Sequence, residues 1–241
     1  MNLNPKSNPF YPSDLTVTVV IPALNEEDSL PSVLTKIPDT VDEVILVDGH
    51  STDKTVDAAR SVLPSIKVIY QTGQGKGNAL IEGINAAESK IVVFLDADGS
   101  ADPSEIPLFV NTLVAGADFA KGSRFLHGAG TTDMEFIRVI ANWAFVQLVN
   151  MIFRTKYTDI TYGYNAIWVK HKDCLATEIS GWANEIISNI RVAKHGLRVV
   201  EVPCYEHERI AGEAKLHAFS AGLTILKAIL KEGFSHPSPN L

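Results

Sequence analysis

The stretch Ile91-Val92-Val93-Phe94-Leu95-Asp96-Ala97-Asp98-Gly99 decides the fold class. Positions 91–95 are apolar without a break and mostly β-branched or aromatic, which is typical of a strand buried on both faces. Ligands of open α/β sheets bind outside the carboxyl ends of strands, where paired carboxylates can hold a hard divalent cation. The alternative is that Asp96 and Asp98 only begin a turn or cap the helix that would start near Asp102.

Strands and helices alternate on both sides of this stretch. We predict strands at 16–22, 44–47, 67–70, 91–95, 118–121, 166–169 and 198–202. We predict helices from after Asn25-Glu26-Glu27 to about Ile37, and at 53–62, 76–87, 135–153, 182–195 and 216–232, with another helix after the acidic turn. Residues 126–133 have no apolar period and are predicted to form a mobile loop. The alternation predicts an α/β fold with a mostly parallel, Rossmann-like central sheet flanked by helices and right-handed crossovers.

Composition limits the classes of partner. The chain has 241 residues and a net charge of −7, which argues against a basic nucleic-acid interface. Cys174 and Cys204 fit neither a metal-ligand spacing nor a disulfide framework, so we expect packing residues in a reducing cytoplasm. Residues 1–13 are polar and do not resemble a signal peptide. We predict a flexible tail at 1–15, one domain at 16–232 and a second tail at 233–241.

Polar residues follow the predicted strands where each strand ends. They are Asn25 and Glu26 after the first strand, Asp48 after the second, Gln71 and Thr72 after the third, and Asp96 and Asp98 after the fourth. On one edge of a parallel sheet these residues would form a site. No dinucleotide-type glycine pattern follows the first strand, and residues 73–77 have the wrong spacing for a Walker-type phosphate loop. Lys76 remains a candidate phosphate contact.

The order of several motifs resembles that of family 2 inverting glycosyltransferases, most closely the branch of dolichyl- and polyprenyl-phosphate sugar transferases. The motifs are Val19-Val20-Ile21-Pro22-Ala23-Leu24-Asn25-Glu26, Val47-Asp48-Gly49-His50-Ser51-Thr52-Asp53-Lys54-Thr55, Gly75-Lys76-Gly77, Phe94-Leu95-Asp96-Ala97-Asp98, Gly122-Ser123-Arg124-Phe125, and the later segments 159–164 and 207–216. The resemblance covers residues 16–216.

This resemblance implies a glycosyltransferase A fold, with a nucleotide-sugar half at 16–125 and an acceptor half at 126–232. It implies a GDP- or UDP-hexose donor and Mg²⁺ or Mn²⁺. Carried over by position, the implied roles are a nucleoside pocket lined by Pro22, Asn25 and Glu26, a base contact at Asp48, a ribose or base neighbour at Asp96, the principal metal ligand at Asp98, a diphosphate contact at Arg124, and contacts to donor or acceptor phosphate at Arg209 and Lys215.

The chemistry of sugar transfer agrees with these roles. Cleavage of a sugar-diphosphate bond builds negative charge on the leaving nucleotide, so a divalent ion and fixed cations stabilise it. A hydroxyl acceptor needs a carboxylate base, for which Asp159 is the first candidate and Glu185 the second. A lipid phosphate is already anionic and needs none. The alternative for Arg209, Lys215 and Glu185 is a solvated surface side chain or surface ion pair.

Three positions depart from the family pattern. Gly49 stands where a second Asp is common, Ser100 where the lipid-phosphate branch commonly has a Gln metal ligand, and Asn165 where an Arg or Lys often follows the aromatic residue. These departures leave nucleotide-sugar transfer intact but bear on the choice of donor and acceptor.

Two predicted helices bear on membrane contact. Residues 139–153 are apolar, too short to span a bilayer, and flanked by Arg138, Arg154 and Lys156, as in a helix that lies in the headgroup plane. The alternative is a core helix or the interface of a homodimer. In the last helix, the apolar stripe is expected to face the core, and it consists of Leu216, Phe219, Leu223, Leu226, Ile229 and Leu230.

The sequence therefore predicts a cytoplasmic, metal-dependent hexosyltransferase, or one peripheral at the cytoplasmic membrane face, that acts on a polyprenyl phosphate or related lipid. One rival is a soluble transferase acting on a hydroxyl of a metabolite or glycan. Another is a non-catalytic module that binds a nucleotide sugar. A nucleotidyltransferase is disfavoured because the chain has no basic Gly-rich amino-terminal loop.

Overall fold

The computed structural model describes residues 12–175, 183–211 and 218–234. The strands are β1 (Val17–Ala23), β2 (Glu43–Asp48), β3 (Lys67–Tyr70), β4 (Ile91–Phe94), β5 (Phe119–Ser123), β6 (Gly130–Thr131), β7 (Asn165–Trp168), β8 (Val199–Pro203) and β9 (Tyr205–Glu206). The helices are α1 (Leu30–Leu34), α2 (Thr55–Val62), α3 (Gly75–Ala86), α4 (Ile106–Val114), α5 (Phe136–Phe153), α6 (Ala183–Lys194) and α7 (Ala218–Phe234). Short 3₁₀ helices lie at Pro103–Glu105 and Val169–Cys174.

The central sheet has the strand order β3-β2-β1-β4-β7-β5-β8. Its pairs are parallel except those of β7, which is antiparallel to both β4 and β5. The prediction of a mostly parallel sheet is confirmed. Phe94 and Lys121 both pair with Asn165, so the segment that leads into β7 lies at the edge where β4 and β5 end. The sheet takes strands from both predicted halves of the chain.

The core lies on both faces of this sheet because successive strand residues point to opposite sides. In β1, Val19 and Ile21 pack on one face with Phe109 of α4, while Val20 packs on the other with Ile84 of α3. A third cluster joins α5, α6 and α7 beside the sheet. Both cysteines are buried thiols, as expected.

The helix predicted to follow Asn25-Glu26-Glu27 and reach about Ile37 is shorter than expected, since α1 covers Leu30–Leu34. Asn25 has a left-handed backbone with φ of 57°. The N–H groups of Asn25 and Glu26 donate to the hydroxyls of Ser51 and Thr55, so they are used in a loop instead of a helix.

The loop predicted at 126–133 contains a strand. Gly130 and Thr131 of β6 pair in parallel with Tyr205 and Glu206 of β9, which lie far away in the sequence. Two residues give no detectable period, so a partner remote in sequence had to determine this strand.

The last helix turns a different face to the core than predicted. Leu223, Leu226 and Leu230 are exposed, whereas Ile225 and Ile229 are buried. The predicted stripe is therefore confirmed at Ile229 and wrong at Leu223, Leu226 and Leu230. The position of Leu216 and the side chain of Phe219 lie outside the described residues. The helix also continues through Phe234, past the predicted start of the tail.

Candidate active site

A cleft of about 840 Å³ opens where β1, β2 and β4 end. Its walls come from the loops after these strands, from the start of α3 and from the segment after β9. The residues predicted from sequence that line it are Pro22, Asn25, Glu26, Lys76, Asp96, Asp98 and Arg209. Parallel strands that end at one edge bring these distant residues together.

One wall consists of two loops held together by hydrogen bonds. Asn25 N donates to Ser51 Oγ at 2.9 Å, and Asn25 Oδ1 accepts from Thr52 N at 2.8 Å. Glu26 N donates to Thr55 Oγ1 at 2.8 Å. The polar residues after β1 and β2 therefore form one unit before any ligand binds.

The carboxylate of Asp48 lies buried beside this wall. Its Oδ2 accepts from Ser51 N at 3.1 Å, while Oδ1 accepts no hydrogen bond from the described residues. A buried carboxylate oxygen without a donor carries a desolvation cost, so this atom is suited to a ligand N–H. At the neighbouring Gly49, an added Cβ would lie 3.3 Å from Gln71 Oε1, a tight contact at this side of the site.

Asp98 has one oxygen engaged and one facing a cation. Its Oδ1 accepts from Ser100 N at 3.0 Å and from Ser100 Oγ at 2.8 Å. Its Oδ2 lies 3.5 Å from Arg209 NH1. The segment after β9 is fastened to this acidic turn, because Ile210 N donates to the Asp98 carbonyl and His207 N to that of Ser100. Ser100 therefore supports Asp98.

Asp96 is paired with a lysine. Lys76 Nζ lies 2.6 Å from Asp96 Oδ1 and 2.5 Å from Glu185 Oε1. Burial alone would lower the pKa of Lys76, but the two carboxylates raise it well above its usual value, so the ammonium stays charged. Burial raises the pKa of Glu185, although Lys76 opposes this shift. Asp98 is thus the carboxylate of the pair that is not neutralised by a lysine.

Arg124 and Asp159 do not lie at the cleft. Arg124 Nε donates to Asp159 Oδ2 at 2.7 Å, and NH2 donates to Asp159 Oδ1 at 3.0 Å and to Thr161 Oγ1 at 2.8 Å. The remaining nitrogen, NH1, donates to both oxygens of Glu206, at 3.0 and 3.1 Å. Every nitrogen of this buried guanidinium is engaged within the protein.

These contacts correct two predictions. Asp159 is fully buried, so it does not open a turn that faces the cleft and cannot reach an acceptor hydroxyl from this position. Burial by itself would raise the pKa of Asp159, but Arg124 and Lys121 lower it below its usual value, as in a structural ion pair. Arg124 likewise has no donor left for a diphosphate.

Two predicted site residues remain, Glu185 and Lys215. Glu185 is buried and reaches the cleft only through Lys76. Lys215 lies outside the described residues. Gln71, predicted at the end of the third strand, also lines the cleft, and so do His50 and Asp53, to which the sequence assigned no role. His50 has a left-handed backbone with φ of 64°, a conformation rare for residues with a Cβ, but nothing in the sequence signals this angle.

The comparisons with known proteins agree with this geometry. The family described as Glycosyl transferase family 2 matches residues 18–172. Undecaprenyl-phosphate mannosyltransferase of Micrococcus luteus is 32% identical over 88% of this chain and 92% of its own length. Dolichyl-phosphate hexose transferase of Haloferax volcanii is 34% identical over 89% of this chain and 92% of its own length.

Solved structures agree on the fold. Glucosyl-3-phosphoglycerate synthase of Mycobacterium tuberculosis, crystallised with Mn²⁺, UDP and phosphoglyceric acid, superposes with a TM-score of 0.73 at 24% identity. The alignment covers 94% of this chain and 81% of that one. The predicted glycosyltransferase A fold is confirmed, and the predicted enzyme class with it. From the matched family and these relatives, the chain belongs to glycosyl transferase family 2.

Proposed function

We propose that this glycosyltransferase is a metal-dependent inverting enzyme that moves a hexose from a nucleotide-diphosphate sugar to a polyprenyl phosphate or related lipid carrier. The observation that carries the proposal is the position of Asp98 Oδ2, which lies 3.5 Å from Arg209 NH1 where both residues line a cleft of about 840 Å³. The Asp98 carboxylate suits a divalent ion, and the Arg209 guanidinium suits a phosphate. A bound ion and a fixed cation both stabilise the negative charge that builds up on the departing diphosphate. The relatives named for undecaprenyl-phosphate and dolichyl-phosphate transfer support this acceptor class.

The donor nucleoside fits the wall formed by the loops after β1 and β2. Pro22, Asn25 and Glu26 line this side of the cleft. The unpaired Oδ1 of Asp48 is suited to accept a hydrogen bond from the N–H of a base. Uracil and guanine both offer such an N–H, so this contact is compatible with a UDP or GDP donor.

The acidic turn fits Mg²⁺ or Mn²⁺. Magnesium is commonly bound by one or two carboxylates plus substrate phosphates, and Asp98 with Asp96 beside it offers this set. The ion would supply charge neutralisation to the departing diphosphate. Lys76 orients Asp96 and offsets its charge, which leaves Asp98 as the principal protein ligand.

The residues of the chain favour an anionic acceptor. The first candidate base, Asp159, is held by Arg124 in the buried ion pair and cannot take a proton from a hydroxyl in the cleft. A phosphate oxygen needs no base, and Arg209 at the rim can attract such a group through NH1, the nitrogen that Asp133 leaves unbound. The second candidate base, Glu185, is engaged as well, since its Oε1 lies 2.5 Å from Lys76 Nζ.

We further propose that α5 and α7 bring the enzyme to an anionic membrane surface. In the described residues, α5 is the one helix long and apolar enough to cross a bilayer by length and composition, and 17% of its 18 residues are buried. Phe136, Trp143 and Met151 are 79%, 63% and 73% exposed along it, and Phe234 of α7 is 88% exposed.

One side of α5 packs against the protein, and basic residues flank the exposed apolar surface. Asn142, Val146 and Val149 of α5 are buried against the protein, which supports a helix lying on the membrane surface instead of spanning it. Exposed Arg154, Lys156, Lys227 and Lys231 lie beside the apolar surface. Such flanks are attracted to the negative cytoplasmic leaflet.

The test compares two acceptors that differ in one group. Purified protein with Mn²⁺ or Mg²⁺ is given radiolabelled GDP- or UDP-hexoses and either a polyprenyl phosphate or the matching polyprenol. We expect transfer to the phosphate only, abolished by a chelator. Transfer to the polyprenol or to soluble glycans instead would refute the acceptor assignment. Metal-dependent donor binding with neither transfer nor hydrolysis would identify a non-catalytic module.

A further inference from the structure

The small sheet of β6 and β9 brings Asp133 and Arg209 face to face. The two strands run parallel, and Thr132 N extends the pairing by donating to the Glu206 carbonyl at 2.9 Å. Asp133 follows the end of β6, and Arg209 follows the end of β9. Because parallel strands end at the same edge, the two side chains leave the sheet together.

The contact between these side chains is bidentate. Arg209 Nε donates to Asp133 Oδ1 at 3.1 Å, and Arg209 NH2 donates to Asp133 Oδ2 at 2.7 Å. The guanidinium is planar, so fixing the edge that carries these two nitrogens sets the direction of NH1. That nitrogen points to Asp98 Oδ2 at 3.5 Å.

A second guanidinium shares the same carboxylate. Arg138 NH1, in the first turn of α5, lies 3.9 Å from Asp133 Oδ2. Asp133 therefore lies between a cation of the cleft and a cation of the exposed helix. Its charge offsets the repulsion that would push the two guanidinium groups apart.

We propose that Asp133 is a positioning residue that holds Arg209 at the rim of the cleft and limits its approach to Asp98. This inference rests on the proposed function, in which Arg209 meets a phosphate and Asp98 a metal ion. Among the ion pairs of the described residues, removal of the Asp133 carboxylate leaves Arg209 paired with Asp98. Arg209 would then compete with the ion for its ligand and lose its fixed direction.

The test uses matched charge removals. Asp133→Asn keeps the shape of the side chain and removes its charge. Glu135→Gln removes one charge two residues away, from an exposed side chain that forms no ion pair with the described residues. For each protein we measure kcat, the KM of the donor, and the Mn²⁺ concentration that gives half-maximal rate. Calorimetric titration with UDP and GDP, with and without Mn²⁺, adds a readout independent of turnover.

We expect Asp133→Asn to lower kcat/KM by about 10- to 100-fold, the usual effect of removing a partner that orients a functional group. It should also raise the Mn²⁺ requirement and weaken nucleotide binding in the presence of Mn²⁺ more than in its absence. Glu135→Gln should match the wild type, and Asp133→Glu should restore part of the loss. If Asp133→Asn does not fold, Asp133→Glu must itself shift the Mn²⁺ requirement. A wild-type Mn²⁺ requirement in every folded Asp133 variant would overturn the proposal.

A double-mutant cycle with Arg209→Lys identifies the route of the effect. If Asp133 acts through Arg209, adding Asp133→Asn to Arg209→Lys costs much less than it costs the wild type. Additive losses would overturn the proposal. The wild-type protein tests the proposed function separately. If the wild type shows neither metal-dependent donor binding nor transfer, the proposed function is refuted, whatever the Asp133 variants do.

Discussion

Replacing Asp159 by Asn tests whether this carboxylate is structural or catalytic. Asp159 accepts hydrogen bonds from Arg124 Nε at 2.7 Å and Arg124 NH2 at 3.0 Å, and it also accepts from the backbone N–H groups of Arg124 and Thr161. The amide of Asn keeps the volume but cannot accept on both sides, and it leaves the buried guanidinium short of one countercharge. Breaking a buried pair in this way costs about 3–5 kcal/mol.

The assay is urea unfolding followed by circular dichroism, with Asp14→Asn as the control. Asp14 also pairs with a cation, Lys90, but its side chain is 69% exposed. Loss of such a surface pair has little effect on stability, because solvent and salt screen the two charges. We expect Asp159→Asn to lower the free energy of unfolding several times more than Asp14→Asn, while the folded variant still transfers hexose to polyprenyl phosphate. Unchanged stability with complete loss of transfer would refute the structural role.

The pH dependence follows from the same contact. Because the pKa of Asp159 is lowered in the folded state, its contribution to stability is present above the pKa of the unfolded chain, about 3.9. That contribution is lost as pH falls below this value toward the folded pKa. The stability difference between wild type and Asp159→Asn should therefore be constant near neutral pH and shrink in acid. A difference that grows as the pH falls would contradict the assignment.

Three further predictions concern the cleft and the membrane surface. Asp98→Asn keeps an acceptor for Ser100 but removes the charge, so metal-dependent transfer should fall by about 100-fold or more while the urea midpoint changes little; activity near the wild-type level would contradict the metal role. His50→Gly should stabilise the fold by about 0.5–1 kcal/mol, because relief of about 1–2 kcal/mol of left-handed strain exceeds the added entropy of the unfolded chain; His50→Ala, which keeps the Cβ, should show no such gain in urea unfolding. Vesicles with anionic lipid should bind the protein and shift the emission of exposed Trp143 to the blue, with weaker binding to neutral vesicles, and the absence of binding to either would refute the membrane proposal.

Arg124 and Asp159 show that a sequence motif does not determine whether its side chains are buried or reach the cleft. Both occur in segments that resemble those of the family, and both were given roles at the cleft. A motif reports that residue types occur in order, but the burial of a side chain depends on which segments pack around it. Here Glu206, from a strand remote in sequence, completes the shell around Arg124 and leaves it no free donor.

The sequence by itself determined that the first strands are parallel and that polar residues follow their carboxyl ends. An unbroken apolar run specifies a strand buried on both faces, and the polar residue after it must then lie at the sheet edge. The sequence therefore predicted that Asn25, Gln71, Asp96 and Asp98 lie together, and all four line the cleft. Only the tertiary structure decided the pairing of β6 with β9 and the contact of Asp133 with Arg209. Those contacts join segments remote in sequence through two-residue strands and single ion pairs, which leave no period or motif, so their geometry exists only once the chain has folded around them.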